Sequence, residues 1–396
     1  MTMTPRENFN RAMNHQQPDR VLVDMGKHIG SIHKKAYLKL IEHLPDVEMN
    51  NQDRILDRMA QTVIPDEALL QRFNIDFRWL VPNWVQVTER EDTNGYIDMW
   101  GVPYRATADE DHFAVDGAPL KNATLADLET YAWPDPFDED QFKGLAEQAK
   151  YWFENTDYVI GADAIKAGPL MTALQMRGYE QFFMDLVIDV EFADALLSKI
   201  TDLLKQMWTR YMQEVGSYVQ IAYVTDDLGT QTSMLMSPKL FQQRIKPKMQ
   251  ELHEHIKSLA DVKLMMHTDG AVLPVIEDII EMQVDVINPV QTSTSGMQDT
   301  ANLKQQFGER LSFHGAIDVQ QFLPNANSQE LRWEVAKRIQ DLGTEGGFII
   351  APCHNIGHDI APENVIALFD LINELGTYPL QLNDEIALNQ SYFANH

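Results

Sequence analysis

Short apolar runs alternate with longer amphipathic stretches along most of this chain, and this alternation constrains the fold more than any other feature. The runs that can be read as strands are residues 20–25, 74–81, 158–163, 219–227, 262–270, 284–291, 310–318 and 346–355. Stretches with helical periodicity separate most of them. Strands that alternate with helices favour parallel pairing with crossover connections. Eight such units in 396 residues predict an α/β fold of the (β/α)8 barrel type.

An open, doubly wound sheet is the alternative α/β architecture. Such sheets often bind nucleotides through glycine-rich loops, but neither GxGxxG nor GxxxxGK[ST] follows any of the runs. The barrel is therefore preferred, as a single domain over residues 1–396. Helices are expected at about 4–16, 30–43 and 51–72 in the less regular N-terminal part. The segment 79–136, rich in aromatic residues, Asp and Pro, is expected to be an insertion or a lid.

Charge and composition limit the partners. The formal net charge is −27, so nucleic acid and anionic membrane surfaces are not expected to bind. No apolar stretch is long enough for a transmembrane helix, and the polar N-terminus has no apolar segment typical of a signal peptide. The single cysteine cannot form an internal disulfide, which fits a cytoplasmic protein. A small-molecule substrate is expected, and a homodimer stays open.

Polar or titratable side chains follow most of the runs: Asp163, Asp226, Asp227, His267, Asp269, Asn288, Gln291, His314, Asp318, Cys353 and His354. In a barrel the carboxyl ends of all strands form one rim, where such folds carry their active sites. Helix capping explains Asp and Asn at these positions, but it does not explain His267, His314 or Cys353. The sequence therefore predicts an active site on this rim.

A metal site is predicted at HTDG, residues 267 to 270, together with Cys353. His267 and Asp269 are two positions apart, so an extended strand end turns both to one side. An imidazole, a carboxylate and a thiolate are all zinc ligands, and three protein ligands leave a fourth position open, as in catalytic zinc sites. His354 faces away from Cys353 and is expected to be a loop residue. The alternative interpretation is a hydrogen-bonded histidine and a buried apolar cysteine.

Other residues near the strand ends complete the predicted site. Three are predicted to take part in catalysis: Asp226, Asp227 and His314. Four are predicted to contact the substrate: Lys27, His28, Tyr223 and Gln175. Lys27 and His28 are the nearest cationic pair for an anionic group. The alternative role for the two aspartates is helix capping, and for His314 it is a structural hydrogen bond. For Tyr223 and Gln175 the alternative is core packing or solvent exposure.

Several longer stretches resemble the uroporphyrinogen decarboxylase superfamily of (β/α)8 enzymes, and together they cover most of the chain. They are the N-terminal TPRENFNRAMNHQQPDRVLVDMG and residues 98–105, 226–248, 267–291, 307–320 and 346–365. True uroporphyrinogen decarboxylases carry an arginine-rich segment near the first strand that binds the substrate carboxylates. Residues 24–35 read DMGKHIGSIHKK and contain no arginine. This departure argues against a role in haem biosynthesis.

A second branch of the superfamily resembles this chain more closely in its site residues. It comprises zinc methyltransferases that move a methyl group between a corrinoid and a thiol such as coenzyme M, with ligands at His-x-Cys and a distant Cys. His267 and Cys353 match that pattern, while Asp269 replaces the middle cysteine. The resemblance implies a zinc ion and a methyl partner, either a corrinoid protein or tetrahydrofolate. The carboxylate makes the metal harder, which weakens thiol methylation and favours oxygen ligands.

The expected function is therefore that of a zinc-dependent methyltransferase or demethylase component, which moves a methyl group between a small substrate and a corrinoid, folate or thiol. The main alternative is a carboxy-lyase of the uroporphyrinogen decarboxylase type that acts on a small carboxylated substrate. A metal-free binding protein on the same barrel is the third interpretation.

Overall fold

Eight parallel strands form the central sheet in the computed structural model, which describes residues 2–109, 111–380 and 382. They are β1 (Leu22–Val23), β2 (Phe77–Leu80), β3 (Val159–Ala162), β4 (Ile221–Thr225), β5 (Lys263–His267), β6 (Val286–Val290), β7 (Ser312–Ile317) and β8 (Phe348–Pro352). Each strand from β2 to β8 pairs with the next along the chain, and β8 pairs with β1.

Asp76 closes the remaining gap between β1 and β2. Its backbone N–H donates to the Val23 carbonyl oxygen at 2.9 Å, and its carboxylate accepts the Val23 N–H at 2.8 Å. The sheet therefore forms a nearly closed (β/α)8 barrel, and the predicted fold class is confirmed.

The barrel interior is filled by apolar side chains from alternate strand positions, because successive residues of a strand face opposite sides. Leu22, Phe77, Met265 and Ile349 belong to this buried inner cluster. Phe9, from the N-terminal helix, belongs to it as well and meets Phe77 edge to face at 5.8 Å between ring centroids. The carboxyl ends of the strands, at the opposite end from this helix, are left to form the site.

Helices cover the outside of the barrel. The described helices of six or more residues are Pro5–Met13, Lys34–His43, Glu67–Arg72, Leu125–Thr130, Leu145–Asn155, Pro169–Arg177, Tyr179–Ile188, Val190–Val215, Lys246–Leu259, Ile276–Glu281, Thr300–Phe307, Ser328–Gly343 and Pro362–Leu375. Shorter helical turns lie at Glu91–Thr93, Pro238–Leu240, Phe241–Ile245, Leu273–Val275 and Phe322–Asn325. Among the described residues, no helix combines the length and the apolarity needed to span a lipid bilayer.

The N-terminal part differs from the prediction in one segment. The helices expected at about 4–16 and 30–43 are present, but of 51–72 only Glu67–Arg72 is helical. Ile55–Asp57 and Thr62–Val63 instead form an antiparallel sheet with Ile32–His33. The helix prediction was wrong there because buried β-branched side chains favour extended backbone, and Pro65 delays the helix start.

Segment 79–136 contains a separate four-stranded antiparallel sheet, formed by Thr88–Arg90, Gly95–Ile97, Pro103–Ala106 and Phe113–Val115. Its core is the stacked pair Tyr96 and Tyr104, whose ring centroids are 4.7 Å apart. Several of its side chains line the pocket described below. Its role as a lid stays a prediction, as does the single-domain assignment, of which residues 1, 110, 381 and 383–396 lie outside the described part.

Candidate metal centre and substrate pocket

A pocket opens at the carboxyl ends of the barrel strands. Its walls come from the residues that follow β1 to β5 and β8, and from the sheet of segment 79–136. Its interior volume is about 200 Å3. The rim residues His28, Asp226, Asp227, His267 and His354 all face it. The predicted location of the active site on this rim therefore coincides with a cavity large enough for a small molecule.

His267, Asp269 and His354 form a group whose ligand atoms lie within 4.8 Å of one another. The Nε2 atom of His267 is 3.8 Å from Asp269 Oδ1 and 3.5 Å from Asp227 Oδ1. Asp269 Oδ1 is buried and has no hydrogen-bond partner. A buried, unpaired carboxylate oxygen is costly unless a cation or a proton compensates it. Two imidazoles and a carboxylate are a ligand set that zinc uses in proteins.

Two glycines let the loops that follow β4 and β5 approach closely enough to build this group. Gly270 has φ +99°, and a Cβ added there would lie 2.3 Å from the carbonyl carbon of Gly229. The Gly229 N–H donates to the Asp269 carbonyl oxygen at 3.1 Å, and the Asp269 N–H donates to Asp227 Oδ1 at 3.0 Å. Backbone contact thus fixes the position of Asp227 relative to Asp269.

A chain of buried hydrogen bonds runs from His267 into the barrel. His267 Nδ1 lies 2.8 Å from Asn288 Oδ1, and Asn288 Nδ2 lies 2.7 Å from His314 Nδ1. His314 Nε2 lies 2.8 Å from Asp24 Oδ2. Burial lowers the pKa of His314 to about 4, and the ammonium of Lys27 adds to the effect. Although burial opposes it, Lys27, with His314 and the Trp79 N–H, lowers the pKa of Asp24 to about 2.

These protonation states fix the direction of every hydrogen bond in the chain. The ionised carboxylate of Asp24 can only accept, so neutral His314 donates from Nε2 and accepts at Nδ1. Asn288 therefore donates to His314 through its amide nitrogen and accepts the Nδ1–H of His267 at its oxygen. His267 is left with a lone pair on Nε2, the atom that faces Asp269. This tautomer suits a metal ligand.

The Cys353 thiol is not part of the group formed by His267, Asp269 and His354. Its thiol is buried and donates to the Val290 carbonyl oxygen at 3.2 Å, and burial, with a smaller contribution from nearby carboxylates, raises its pKa. His354 instead faces His267, with 6.0 Å between the ring centroids. Adjacent residues of an extended strand face opposite sides. Because the Cys353 side chain turns away from His267, the His354 side chain turns towards it. The structure thus groups His354, rather than Cys353, with His267 and Asp269, and the metal ligation expected of Cys353 stays a prediction.

Asp226 caps the N-terminus of a helix. Its carboxylate accepts the backbone N–H groups of Leu170 at 2.9 Å and Met171 at 2.7 Å, in the first turn of Pro169–Arg177. Burial raises its pKa to about 7, with a smaller contribution from Asp227. Asp226 therefore acts as a helix cap, the alternative that the sequence left open. Asp227 lies beside His267, with a third of its side chain exposed.

The remaining predicted residues divide into two sets. His28 and Gln175 line the pocket. Lys27, Tyr223 and His314 are fully buried and are not among its lining residues. The Lys27 ammonium lies 3.3 Å from Asp24 Oδ2, and the Tyr223 hydroxyl donates to Asn288 Oδ1 at 3.1 Å. These three side chains have partners inside the barrel, as buried polar groups require. The catalytic role of His314 and the substrate contacts of Lys27 and Tyr223 stay predictions.

Sequence reasoning missed two charged residues of the pocket, Lys166 and Asp98. Lys166 Nζ lies 2.6 Å from Asp98 Oδ2, and both side chains are largely buried. The Asp98 carboxylate raises the pKa of Lys166, although burial opposes it. Lys166 follows the third strand run closely and Asp98 lies in the DMWG stretch, so their positions offered a signal. The ion pair between them could not be predicted from the sequence, because the two residues are 68 positions apart.

Comparison with known proteins gives the family and supports the fold. The structure is similar to that of a methyltransferase from Methanosarcina mazei, with a TM-score of 0.66 and 16% identity over 94% of this chain and 99% of that one. Xylanase 10B from Thermotoga maritima matches with a TM-score of 0.36 and 12% identity over 60% of this chain and 81% of the xylanase, a similarity too low to support inference. No curated protein matches the chain by sequence.

The family model described as uroporphyrinogen decarboxylase (URO-D) matches residues 113–375. This range contains six of the eight barrel strands and every residue of the candidate metal group. The chain therefore belongs to the uroporphyrinogen decarboxylase family.

Proposed function

We propose that this protein is a zinc-dependent methyltransferase or demethylase component, which moves a methyl group between a small substrate and a corrinoid, a folate or a thiol. The observation that carries the proposal is the group of His267, Asp269 and His354 at the mouth of the barrel, with a buried Asp269 oxygen that has no partner. The fold shared with a methyltransferase supports it.

The donor atoms fit a zinc ion in spacing as well as in type. Zinc with bonds of about 2.0–2.1 Å separates tetrahedral ligand atoms by roughly 3.4 Å. His267 Nε2 and Asp269 Oδ1 are 3.8 Å apart, and the whole group lies within 4.8 Å. Small side-chain rotations therefore suffice to complete three ligands, leaving a fourth position for a substrate atom.

Zinc bound there would supply a Lewis acid that lowers the pKa of a coordinated thiol or hydroxyl group. His267 and His354 would hold it through nitrogen and Asp269 through oxygen. Asp227 lies beside the group, from where its carboxylate can accept a proton from the substrate. The Trp84 and Met171 side chains line the pocket and would exclude water around the substrate.

Metal analysis with single-site variants tests the ligand set. Wild-type protein purified with zinc is expected to carry about one zinc per chain, and His354→Ala and Asp269→Asn are expected to lose most of it. Cys353→Ser serves as the matched control from the adjacent position and is expected to keep its zinc. Zinc lost in Cys353→Ser but retained in His354→Ala would restore the ligand set predicted from the sequence.

An activity assay tests the reaction. Methylcobalamin and 2-mercaptoethanol are incubated with the protein, and demethylation of the cobalamin is followed by its absorbance. Turnover that depends on zinc and is abolished in His354→Ala is expected. Wild-type protein that binds no zinc and demethylates nothing would refute the proposal. Decarboxylation of a small carboxylated substrate and metal-free binding stay as predictions.

A further inference from the structure

A second polar cluster lies in the wall of the pocket, formed by Lys166, Asp98 and Tyr104. Lys166 Nζ donates to Asp98 Oδ2 at 2.6 Å and to the Tyr104 hydroxyl at 3.3 Å. An ammonium group has three N–H donors, so one is left beyond these two bonds. Asp98 Oδ1 accepts the backbone N–H groups of Trp100 and Val102 at 2.9 and 3.0 Å, which fixes the carboxylate.

This cluster is electrically neutral, and apart from the zinc proposed above no further Lys or Arg among the described lining residues adds positive charge to the pocket. Lys166 is the only Lys or Arg among the described residues that line the pocket, whereas Asp57, Asp226 and Asp227 line it in addition to Asp98. A substrate carboxylate at the cluster would lose its hydration and would compete with Asp98 for one ammonium. An uncharged oxygen avoids this penalty and can accept the third N–H of Lys166.

Hydrogen-bond acceptors lie in the same part of the wall. Gln141 is 1% exposed, and its Oε1 has no hydrogen-bond partner. Its amide nitrogen lies 4.0 Å from the sulfur of Met99, the residue after Asp98. The Tyr104 hydroxyl also lies 3.5 Å from Gln175 Oε1. A ligand group that both accepts from Lys166 and donates to an amide oxygen matches this wall, and a hydroxyl group does both.

The other walls are largely apolar. Leu56, Val81, Trp84, Val85, Met99 and Met171 are among the lining residues. Apolar walls with a few fixed polar groups are typical of sites that bind small organic molecules. They favour a substrate whose body is apolar and whose polar atoms are confined to a small part of it.

We propose that the organic substrate is an uncharged, largely apolar molecule whose hydroxyl group binds the Lys166–Asp98–Tyr104 cluster. This inference rests on the proposed function only in taking this pocket as the substrate site. Asp98 then acts as a specificity determinant, because its charge cancels that of Lys166 and so removes the attraction for carboxylates.

Binding of three matched probes tests this at pH 7: 4-ethylphenol, 4-ethylbenzoate and ethylbenzene, measured by ligand-observed NMR titration. Wild-type protein is expected to bind 4-ethylphenol roughly tenfold more tightly than either of the others. Asp98→Asn keeps an oxygen for the Trp100 and Val102 N–H groups and leaves Lys166 without its counter-ion. This variant is expected to bind 4-ethylbenzoate at least several-fold more tightly than wild type does.

Two further variants keep the test decisive. Lys166→Met is expected to lower the affinity for 4-ethylphenol to that for ethylbenzene. Lys143→Met removes an exposed lysine that pairs with Asp140 at 2.9 Å, and it is expected to change nothing. Thermal unfolding of each variant shows whether it is folded, and Lys166→Met carries the test if Asp98→Asn does not fold.

Three results would overturn the inference: wild-type protein that binds 4-ethylbenzoate as tightly as 4-ethylphenol, wild-type protein that binds none of the probes, or an unchanged preference in Lys166→Met. None of these measurements uses zinc or methyl transfer. The metal analysis can therefore refute the proposed function without affecting this inference, and the binding measurements can refute this inference without affecting the proposed function.

Discussion

His314 Nε2 lies 2.8 Å from Asp24 Oδ2, and both side chains are fully buried inside the barrel. The contact is two hydrogen bonds away from His267, yet it decides which nitrogen of His267 carries the proton. A carboxylate that can only accept sets the donor direction of each bond above it. The barrel interior thereby prepares an imidazole lone pair at the pocket.

Asn288 connects this buried pair to His267, so its loss should weaken metal binding without removing a ligand. Asn288→Ala is expected to lower zinc affinity about 10- to 100-fold, because His267 is then free to adopt the other tautomer. Competition with a chromophoric chelator measures the affinity. 15N NMR of the metal-free protein reports the tautomer directly, and wild-type His267 should carry its proton on Nδ1.

Asn364→Ala is the matched control, since this side chain donates only to the carbonyl oxygens of Leu323 and Ala326. It should leave the zinc affinity unchanged. Wild-type His267 protonated on Nε2, or equal zinc affinities in the two variants, would contradict the assignment.

The adjacent aspartates Asp226 and Asp227 should separate stability from metal binding. Asp226→Ala removes the acceptor of two N–H groups in the first turn of Pro169–Arg177, and should lower the free energy of unfolding by about 1–2 kcal/mol. Asp227→Ala should cost less than about 1 kcal/mol, since its side chain is partly exposed, but should lower zinc affinity or turnover. Urea unfolding and zinc titration measure the two effects. The opposite pattern would assign the helix cap to Asp227.

Gly270→Ala should disrupt the contact between the loops after β4 and β5. The new Cβ would lie 2.3 Å from the Gly229 carbonyl carbon, and φ is +99°. Gly144→Ala is the control, because φ is +84° there and nothing lies within 4 Å of the added Cβ. The control should lose about 1 kcal/mol from backbone strain alone, and Gly270→Ala should lose clearly more, together with zinc affinity. Equal unfolding free energies would mean that the loops do not depend on this approach.

His253 should make stability depend on pH between 6.5 and 4. It is buried and hydrogen-bonded to the Met282 carbonyl oxygen, and burial lowers its pKa from 6.5 to about 4. Below pH 6.5 the unfolded chain therefore binds a proton that the folded chain does not, so the free energy of unfolding falls as pH decreases. The loss attributable to this group approaches about 3 kcal/mol near pH 4.

Urea unfolding at pH 7, 5.5 and 4.5 measures this effect. His253→Gln should show a shallower loss than wild type, while His43→Gln, at a partly exposed position, should follow the wild-type slope. Parallel slopes for all three proteins would show that His253 is not the group responsible.

Much of the fold could be predicted from local sequence. Each barrel strand is a short apolar run between helical stretches, so its type and order can be inferred without tertiary contacts. Residues 51–72 could not be assigned in this way. Val63 is extended because it pairs with Ile32 on one side and with Ile55 on the other, and Ile32 lies outside this segment of the chain.

The location of the candidate site could be inferred from the sequence, but the grouping of its residues could be inferred only in part. His267 and Asp269 share a face because they are two positions apart on an extended strand end. Cys353 and His354 could not be distinguished, because strand alternation says only that they face opposite sides. Which of them faces the pocket depends on how β8 sits in the barrel, and there the thiol turns to the Val290 carbonyl oxygen.

By itself, the sequence determined the eight parallel strands, their order and the polar rim at their carboxyl ends, because hydrophobic periodicity and strand-end chemistry are local properties. Only the tertiary structure decided that His354 joins His267 and Asp269 in the candidate metal group, that Asp98 neutralises Lys166 and that Asp24 fixes the tautomer of His267. Each of these depends on distances between residues far apart in the chain, which are set by barrel closure and loop packing.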